Sequence, residues 1–324
     1  MIQFFQEEEM DVNYGMEIVR ATEIAALNAA RIQGLGETDN ILNSTREAFY
    51  KTLNRLQIDG IIKNDRFTNR KNTFQMFREI GRGGRKMDVL AIALEGHHAA
   101  ANGRNNSISC AVIAKEGGIQ SVPNLTMNKI VVGQEAYGVI DIHQAPSVNI
   151  KRVARALGRY TESVTVCILD KSRHRRIINE VQNCGARIKL ISEGEISGCL
   201  AAITGKKIDI FMGYGFAPEG VLAAAAIKCL GGYFEGKIIY ENDRDKELAR
   251  LEGIEDFEKV YKTEDLILSN EIAFAATGVT DGEFLEGVNF TKNGAVTHSF
   301  VARGESHTYR KLETRHFFDY KPVY

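Results

Sequence analysis

The stretch Lys86–Gly103, KMDVLAIALEGHHAAANG, decides how the rest of the chain is read. Val89 to Leu94 is an apolar run of strand length that ends abruptly in Glu95-Gly96-His97-His98. A strand buried enough to be this apolar does not end in a carboxylate by default. A charge at the rim of a core is normally paired or holds a cation. Gly96 lets the chain turn sharply and lets a ligand approach the backbone.

On the N-terminal side of this strand, Met16 to Gln33 has Ile18, Ala21, Thr22, Ala25 and Ala29 at helical spacing, and Gly34 and Gly36 end the pattern. A second helix spans Glu37 to Leu56, with Leu42, Ala48, Phe49, Leu53 and Leu56 on its buried side. Ile58-Asp59-Gly60 opens a short strand. From Lys63 to Lys86 the chain turns basic, with Arg66, Arg70, Lys71, Arg78, Arg82, Arg85 and Lys86 against Asp65 and Glu79. Such a run is either a solvated face or an anion site where guanidinium groups contact phosphate directly.

On the C-terminal side, Ser107 to Lys115 and Ile130 to Gly133 read as strands. From Val148 onward strands and helices alternate: strands at 164–169, 187–192 and 208–213, helices at 148–157, 174–183, 196–203 and 218–230. Phe274 to Gly278 and Ala295 to Arg303 read as closing strands, and the tail beyond Arg310 as a polar, aromatic segment that docks on the body or on a partner. The length of 324 residues suits two packed domains, divided at 1–147 and 148–324.

Three loops in this second half carry chemistry. In Asp170-Lys171-Ser172-Arg173-His174, two cations sit two residues apart ahead of a helix, so both reach one anion, and the helix start adds donors. In Ser192-Glu193-Gly194-Glu195, the carboxylates are acceptors suited to a diol, or are simply favoured by a helix N-terminus. In Gly213-Tyr214-Gly215-Phe216-Ala217-Pro218-Glu219, a glycine loop leads into a helix with proline in its first turn. Glu219 there repels a bare phosphate and fits a metal placed between carboxylate and phosphate.

The net charge of -1 excludes a generic polyanion binder, and a nucleic-acid partner is not expected. No apolar run approaches the roughly 18 residues of a membrane helix. The N-terminal MIQFFQEEEM lacks the basic start of a secretory signal. Five scattered cysteines without a C-x-x-C pair read as free thiols of a cytoplasmic protein.

Taken in order, Ile58-Asp59-Gly60, Glu95-Gly96, Lys171-Ser172-Arg173-His174, Ala217-Pro218-Glu219-Gly220-Val221, Ala276-Thr277-Gly278-Val279-Thr280-Asp281-Gly282 and Thr297-His298-Ser299 resemble the class II fructose-1,6-bisphosphatases, metal-dependent sugar-phosphate phosphatases. The resemblance runs from Met16 to Arg310. It implies a mixed α/β fold, a layered αβαβα sandwich of the sugar-phosphatase type, and a homo-oligomer. It implies a sugar-phosphate ligand contacted by Glu95, Gly96, His97, Lys171, Ser172, Arg173, Glu193, Gly194 and Glu195, with Arg66 added from the basic run. Glu95 and Glu219 fall on metal positions, for Mn2+ or Mg2+. Other positions depart from the pattern. Ile92 stands for an aspartate, His97 for a threonine that helps activate water, Leu42 for a metal-binding aspartate, and the basic run for an acidic segment. Thr126 stands for a substrate-contacting tyrosine and Phe216 for a glycine. Two functions follow. The favoured one is a relative that binds a sugar bisphosphate with weak or no hydrolysis and needs no metal. The alternative is an active metal-dependent phosphatase with a rearranged site and His97 as its base.

Overall fold

The computed structural model describes residues 13–63, 79–205 and 207–320. Arg66, Arg70, Lys71 and Arg78 of the basic run lie outside the described residues. The first part comprises α1 (Tyr14–Arg31), α2 (Thr38–Leu53), β1 (Ile58–Ile62), β2 (Glu79–Ile80), β3 (Arg85–Glu95), α3 (His97–Ala101), β4 (Ile108–Lys115) and β5 (Thr126–Val132). There follow α4 (Pro146–Ala156), β6 (Thr165–Leu169), α5 (Arg175–Asn183), β7 (Arg187–Ile191), α6 (Glu195–Thr204), β8 (Ile210–Phe216), α7 (Ala217–Leu230) and β9 (Tyr233–Ile238). The chain closes with α8 (Asp243–Leu251), α9 (Thr263–Leu266), β10 (Ile272–Gly278), β11 (Asn289–Thr291), β12 (Gly294–Arg303) and β13 (Thr308–Phe317).

Two mixed sheets organise these elements. One has eight strands in the order β11-β12-β10-β4-β3-β1-β2, with β13 on β12; the other has five in the order β7-β6-β8-β5-β9. The pleat sends alternate residues to opposite faces. On β3, Val89 and Ala91 face α1 and α2, packing with Ile18, Ala25, Phe49 and Leu53. Leu90 and Ile92 face inward and pack with α6, α7 and one face of the second sheet, including Val131, Cys167 and Phe211. The other face of that sheet, including Val132, Val166 and Ile210, is covered by Ile150 and Val153 of α4 and Val181 of α5. The stacking is therefore α1/α2, sheet, α6/α7, sheet, α4/α5, the layered αβαβα sandwich that the resemblance implies.

Sheet membership does not divide at residue 147. β5 joins the second sheet, and β10 to β13 return to the first. The segment beyond Arg310 is not a docked tail but most of β13, paired with β12 from Gly294↔Phe317 to Arg303↔Thr308. Leu42 is only half-buried at the edge of the cluster of Ile41, Leu94 and Val279, and Ile41 is the residue of that turn sunk in the core. Among the described residues, no helix is long and apolar enough to cross a membrane.

A chain of buried hydroxyls ties α1 to the sheet. Thr22 Oγ donates to Val19 O at 2.9 Å and lies 2.7 Å from Thr277 Oγ. Thr277 Oγ lies 2.8 Å from Ser299 Oγ. Each hydroxyl has one proton, so Thr277 donates to Thr22 and Ser299 donates to Thr277. Thr277→Val removes the middle member and leaves two buried hydroxyls short of a partner. The expected cost is about 1–3 kcal/mol in urea unfolding, with Thr277→Ser close to wild type.

Candidate active site

Glu95 reaches the interior through a β-bulge. Ile92 faces Cys110 and Glu95 faces Ile108, so three steps along β3 match two along β4. The extra residue puts both Ala93 and Leu94 on the α1/α2 side. Glu95 then falls on the same inward side as Ile92, where plain alternation would have aimed it outward. Gly96 follows with φ of 77°, in the left-handed region, and starts α3. Ser107 Oγ donates to Gly96 O at 2.7 Å and lies 3.0 Å from where a Cβ would project, so a side chain here would crowd Ser107.

Glu95 Oε1 accepts the backbone N–H of Glu195 at 2.9 Å, at the first residue of α6. The Glu195 carboxylate is ion-paired with Lys129 of β5. Lys129 is fully buried, and its ammonium also donates to Phe216 O at 2.7 Å, at the end of β8. Gly215 has no room for a side chain because the Glu195 carboxylate occupies that space. Glu95, Glu195, Gly215 and Phe216 line a cavity of about 390 Å³, with Lys129 buried beneath them. Its wall includes Glu95, Gly96, His97, Lys171, Arg173, Glu193, Gly194, Glu195 and Glu219, so nearly all the residues expected from the loops converge there. His98, Leu169, Gly215 and Phe216 complete it. Ser172 is exposed and not part of the wall. Arg66 lies outside the described residues.

The cationic loop is held by His174. Its Nδ1 donates to Leu169 O at 2.8 Å, and its Nε2 accepts the Tyr214 N–H at 2.8 Å, which defines the neutral Nδ1–H tautomer. The Arg173 guanidinium bonds Tyr214 O at 3.0 and 3.1 Å. Burial holds the imidazole below its ordinary 6.5, opposed by the bond to Leu169 O and reinforced by nearby Arg173. Glu193 Oε2 accepts the Ala99 N–H at 3.0 Å and so spans from the α6 loop to α3. His97 and His98 lie ring against ring, 4.4 Å between centroids. Phe216 is 38% exposed on the cavity wall, directly opposite Thr126 across the β5–β8 pair.

The described part of the basic run is turned elsewhere. Lys63 lies 3.6 Å from Asp88, Arg85 pairs with Glu271, and Lys86 lies 3.8 Å from Glu116. None of them lines the cavity.

The model of the bacterial, glpX-encoded fructose-1,6-bisphosphatases matches residues 12–316. The chain belongs to this family. A D-fructose 1,6-bisphosphatase class 2/sedoheptulose 1,7-bisphosphatase of Synechococcus sp. strain JA-2-3B'a(2-13) is 33% identical, over 96% of this chain and 97% of that protein. Proteins of the same description from Microcystis aeruginosa and Trichodesmium erythraeum are 32% and 33% identical, over 97% and 95% of this chain and 99% and 97% of theirs.

For a class II fructose-1,6-bisphosphatase, the carboxylates are committed in an unexpected way. Glu195 is held by Lys129, Glu95 by the Glu195 N–H and Glu193 by the Ala99 N–H. Glu219 is buried at the start of α7. Among the described residues, no three His, Cys, Asp or Glu side chains come together as a metal set. A cluster of divalent ions needs several oxygen ligands, and these residues do not fit one.

Lys129 was not foreseen in the sequence, because the strand was read as starting at Ile130. The signal was present: Met127, Lys129 and Val131 alternate on the buried face of β5, and a lysine in such a series needs a partner. Lys129→Met leaves Glu195 buried without its counter-charge. It is expected to cost about 3–5 kcal/mol in urea unfolding, with part recovered when Glu195→Gln is added.

His174 makes a second prediction. The folded chain holds this imidazole below 6.5, so it binds fewer protons than the unfolded chain in the range just below that value. Its contribution is complete above 6.5 and declines as pH falls. Unfolding midpoints of wild type are expected to drop from about pH 7.5 to about pH 5, and His174→Gln to lose that part of the drop.

Proposed function

We propose that this protein binds a sugar bisphosphate in the cavity between its sheets and hydrolyses it weakly or not at all, serving as a sensor, scaffold or partner subunit. The observation that carries this reading is Ile92. It stands where the resemblance puts a metal-binding aspartate, is 3% exposed, and packs in the central apolar core. A hydrocarbon there offers no ligand to an ion and no acceptor to an attacking water.

Recognition survives without it. Lys171 and Arg173 present two cations on one side of the cavity, and an exposed guanidinium whose carbonyl anchor fixes its plane suits a phosphate. Glu193 and Glu195 present carboxylate oxygens to sugar hydroxyls, with Glu195 shared with Lys129. Phe216 adds an apolar surface beside them. A cytoplasmic location fits the free cysteines, of which Cys110, Cys167, Cys199 and Cys229 are buried.

A second reading is an active phosphatase that uses Mn2+ or Mg2+ with a rearranged site. Its support is that Glu95, Glu219 and His97 line one cavity. The two readings separate by phosphate release from fructose 1,6-bisphosphate in Mn2+, Mg2+ or EDTA, with Glu219→Ala alongside, and by calorimetry of the same ligand. The expected result is binding lost in Lys171→Ala/Arg173→Ala and no release above the Glu219→Ala control. Metal-dependent release that disappears in Glu219→Ala would overturn the proposal.

A further inference from the structure

A second cavity, of about 220 Å³, lies where the loop from α8 to α9 meets the turn after β4. Glu255, Asp256, Lys259 and Tyr261 of that loop, Asp265 of α9 and Gln120 of the turn line it, and none of them lines the first cavity. Its walls are tied to the body. The Tyr261 N–H donates to Gly236 O at 2.7 Å, and Tyr261 O accepts the Gly236 N–H at 2.9 Å, which holds the residue against β9. On the other wall the Gln120 N–H donates to Leu266 O at 2.9 Å.

Acidic side chains on a surface are ordinarily just solvated. Tyr261 is different. It is 3% exposed, and its hydroxyl makes no hydrogen bond among the described residues. A buried phenol ordinarily finds a partner. Burial first, then Tyr240, Asp256 and Asp265, push this phenol up, so it stays neutral and able to donate. Both aspartates line the cavity, which places the hydroxyl beside it. The Tyr240 hydroxyl is likewise buried without a hydrogen bond among the described residues.

The carboxylates are unequally committed. Asp265 pairs with Lys259 at 2.7 Å and accepts the Lys262 N–H at 2.8 Å. Asp256 accepts the Glu258 N–H through Oδ1 at 2.9 Å, and its Oδ2 has no partner among the described residues. Three carboxylates against the one ammonium of Lys259 leave a net charge of -2 on the wall. Lys246 and Arg250 are turned to the Phe257 ring, at 5.9 and 5.1 Å, and do not line the cavity. Such a wall repels phosphate and favours a cation. The donor set does not suit a metal ion, since no three His, Cys, Asp or Glu side chains among the described residues come together as a metal set. The space exceeds what a single water needs. An organic cation with N–H groups answers both unmet groups. It donates to Asp256 Oδ2 and to the Tyr261 oxygen, whose own proton turns to a carboxylate.

We propose that this cavity binds a small organic cation, carrying an ammonium or guanidinium group, between Asp256 and Tyr261. This does not depend on the ligand of the first cavity or on turnover.

Calorimetry of the full chain with agmatine, which carries both groups, tests it. Wild type is expected to bind at one site, and the neutral butane-1,4-diol is expected not to bind. Tyr261→Phe removes only the unpartnered hydroxyl, and Asp256→Asn keeps Oδ1 for the Glu258 N–H. Each is expected to weaken binding by about tenfold and to leave the urea midpoint close to wild type. Hydrogen exchange on wild type locates the site without substitutions. Amides of 253–265 are expected to slow with agmatine, and those of 171–174 and 193–195 at the first cavity are not. No binding by wild type, equal binding of the diol, unchanged affinity in both variants, or protection confined to the first cavity would overturn the proposal.

Discussion

The buried Lys129–Glu195 ion pair is the constraint on which the cavity depends. Taking an ammonium and a carboxylate out of water costs several kcal/mol each unless they are paired and hydrogen-bonded. Here the ammonium also bonds Phe216 O, and the Glu195 backbone N–H is bonded by Glu95. One pair therefore fixes the end of β8, the start of α6 and the bulged end of β3, elements drawn from both sheets. Gly215 is part of the same device, since only a residue without a side chain lets the carboxylate lie against β8. These groups hold the layers in register around the cavity, and the loops after β6, β7 and β8 form its wall.

Much of this was legible beforehand for physical reasons. The helical spacing of Ile18, Ala21, Ala25 and Ala29 and the apolar run of β3 survive into the structure because they describe what each element buries. The cationic and acidic loops after β6 and β7 were found because charges next to buried strand ends are few. What remained hidden depends on register. The bulge between Ile92 and Glu95 is a property of the β3–β4 pair and has no signature in β3 alone. Lys129 lies one residue ahead of the strand expected from Ile130, and the identity of its partner, Glu195, depends on the packing of β5 against α6. β13 was read as a tail because Tyr309 to Phe317 alternates without a strongly apolar face, as an edge strand with one solvated side does.

The bulge also relates the departures from the family pattern to one another. Positions 92 and 95 share the inward side of β3, so an aspartate at 92 would stand next to Glu95 on the cavity side. With Ile92 the same position becomes core, packed with Cys110 and Phe274. The layers are thus packed through this position by hydrocarbon alone, with Ile92 3% exposed.

Glu95 is the contrasting case. A carboxylate where the resemblance implies a metal ligand invites the conclusion that a metal binds there. Yet Glu95 accepts the N–H that opens α6, at 2.9 Å, in a setting where only 6% of the residue is exposed. An apolar side chain there would leave a buried helix N–H without an acceptor, at about 1–3 kcal/mol. Glu95 thus has a structural reason to stay that Ile92 lacks. The presence of Glu95 is thus accounted for by the N–H it accepts and does not by itself argue for a metal. The weight falls instead on Glu219, the carboxylate at the start of α7.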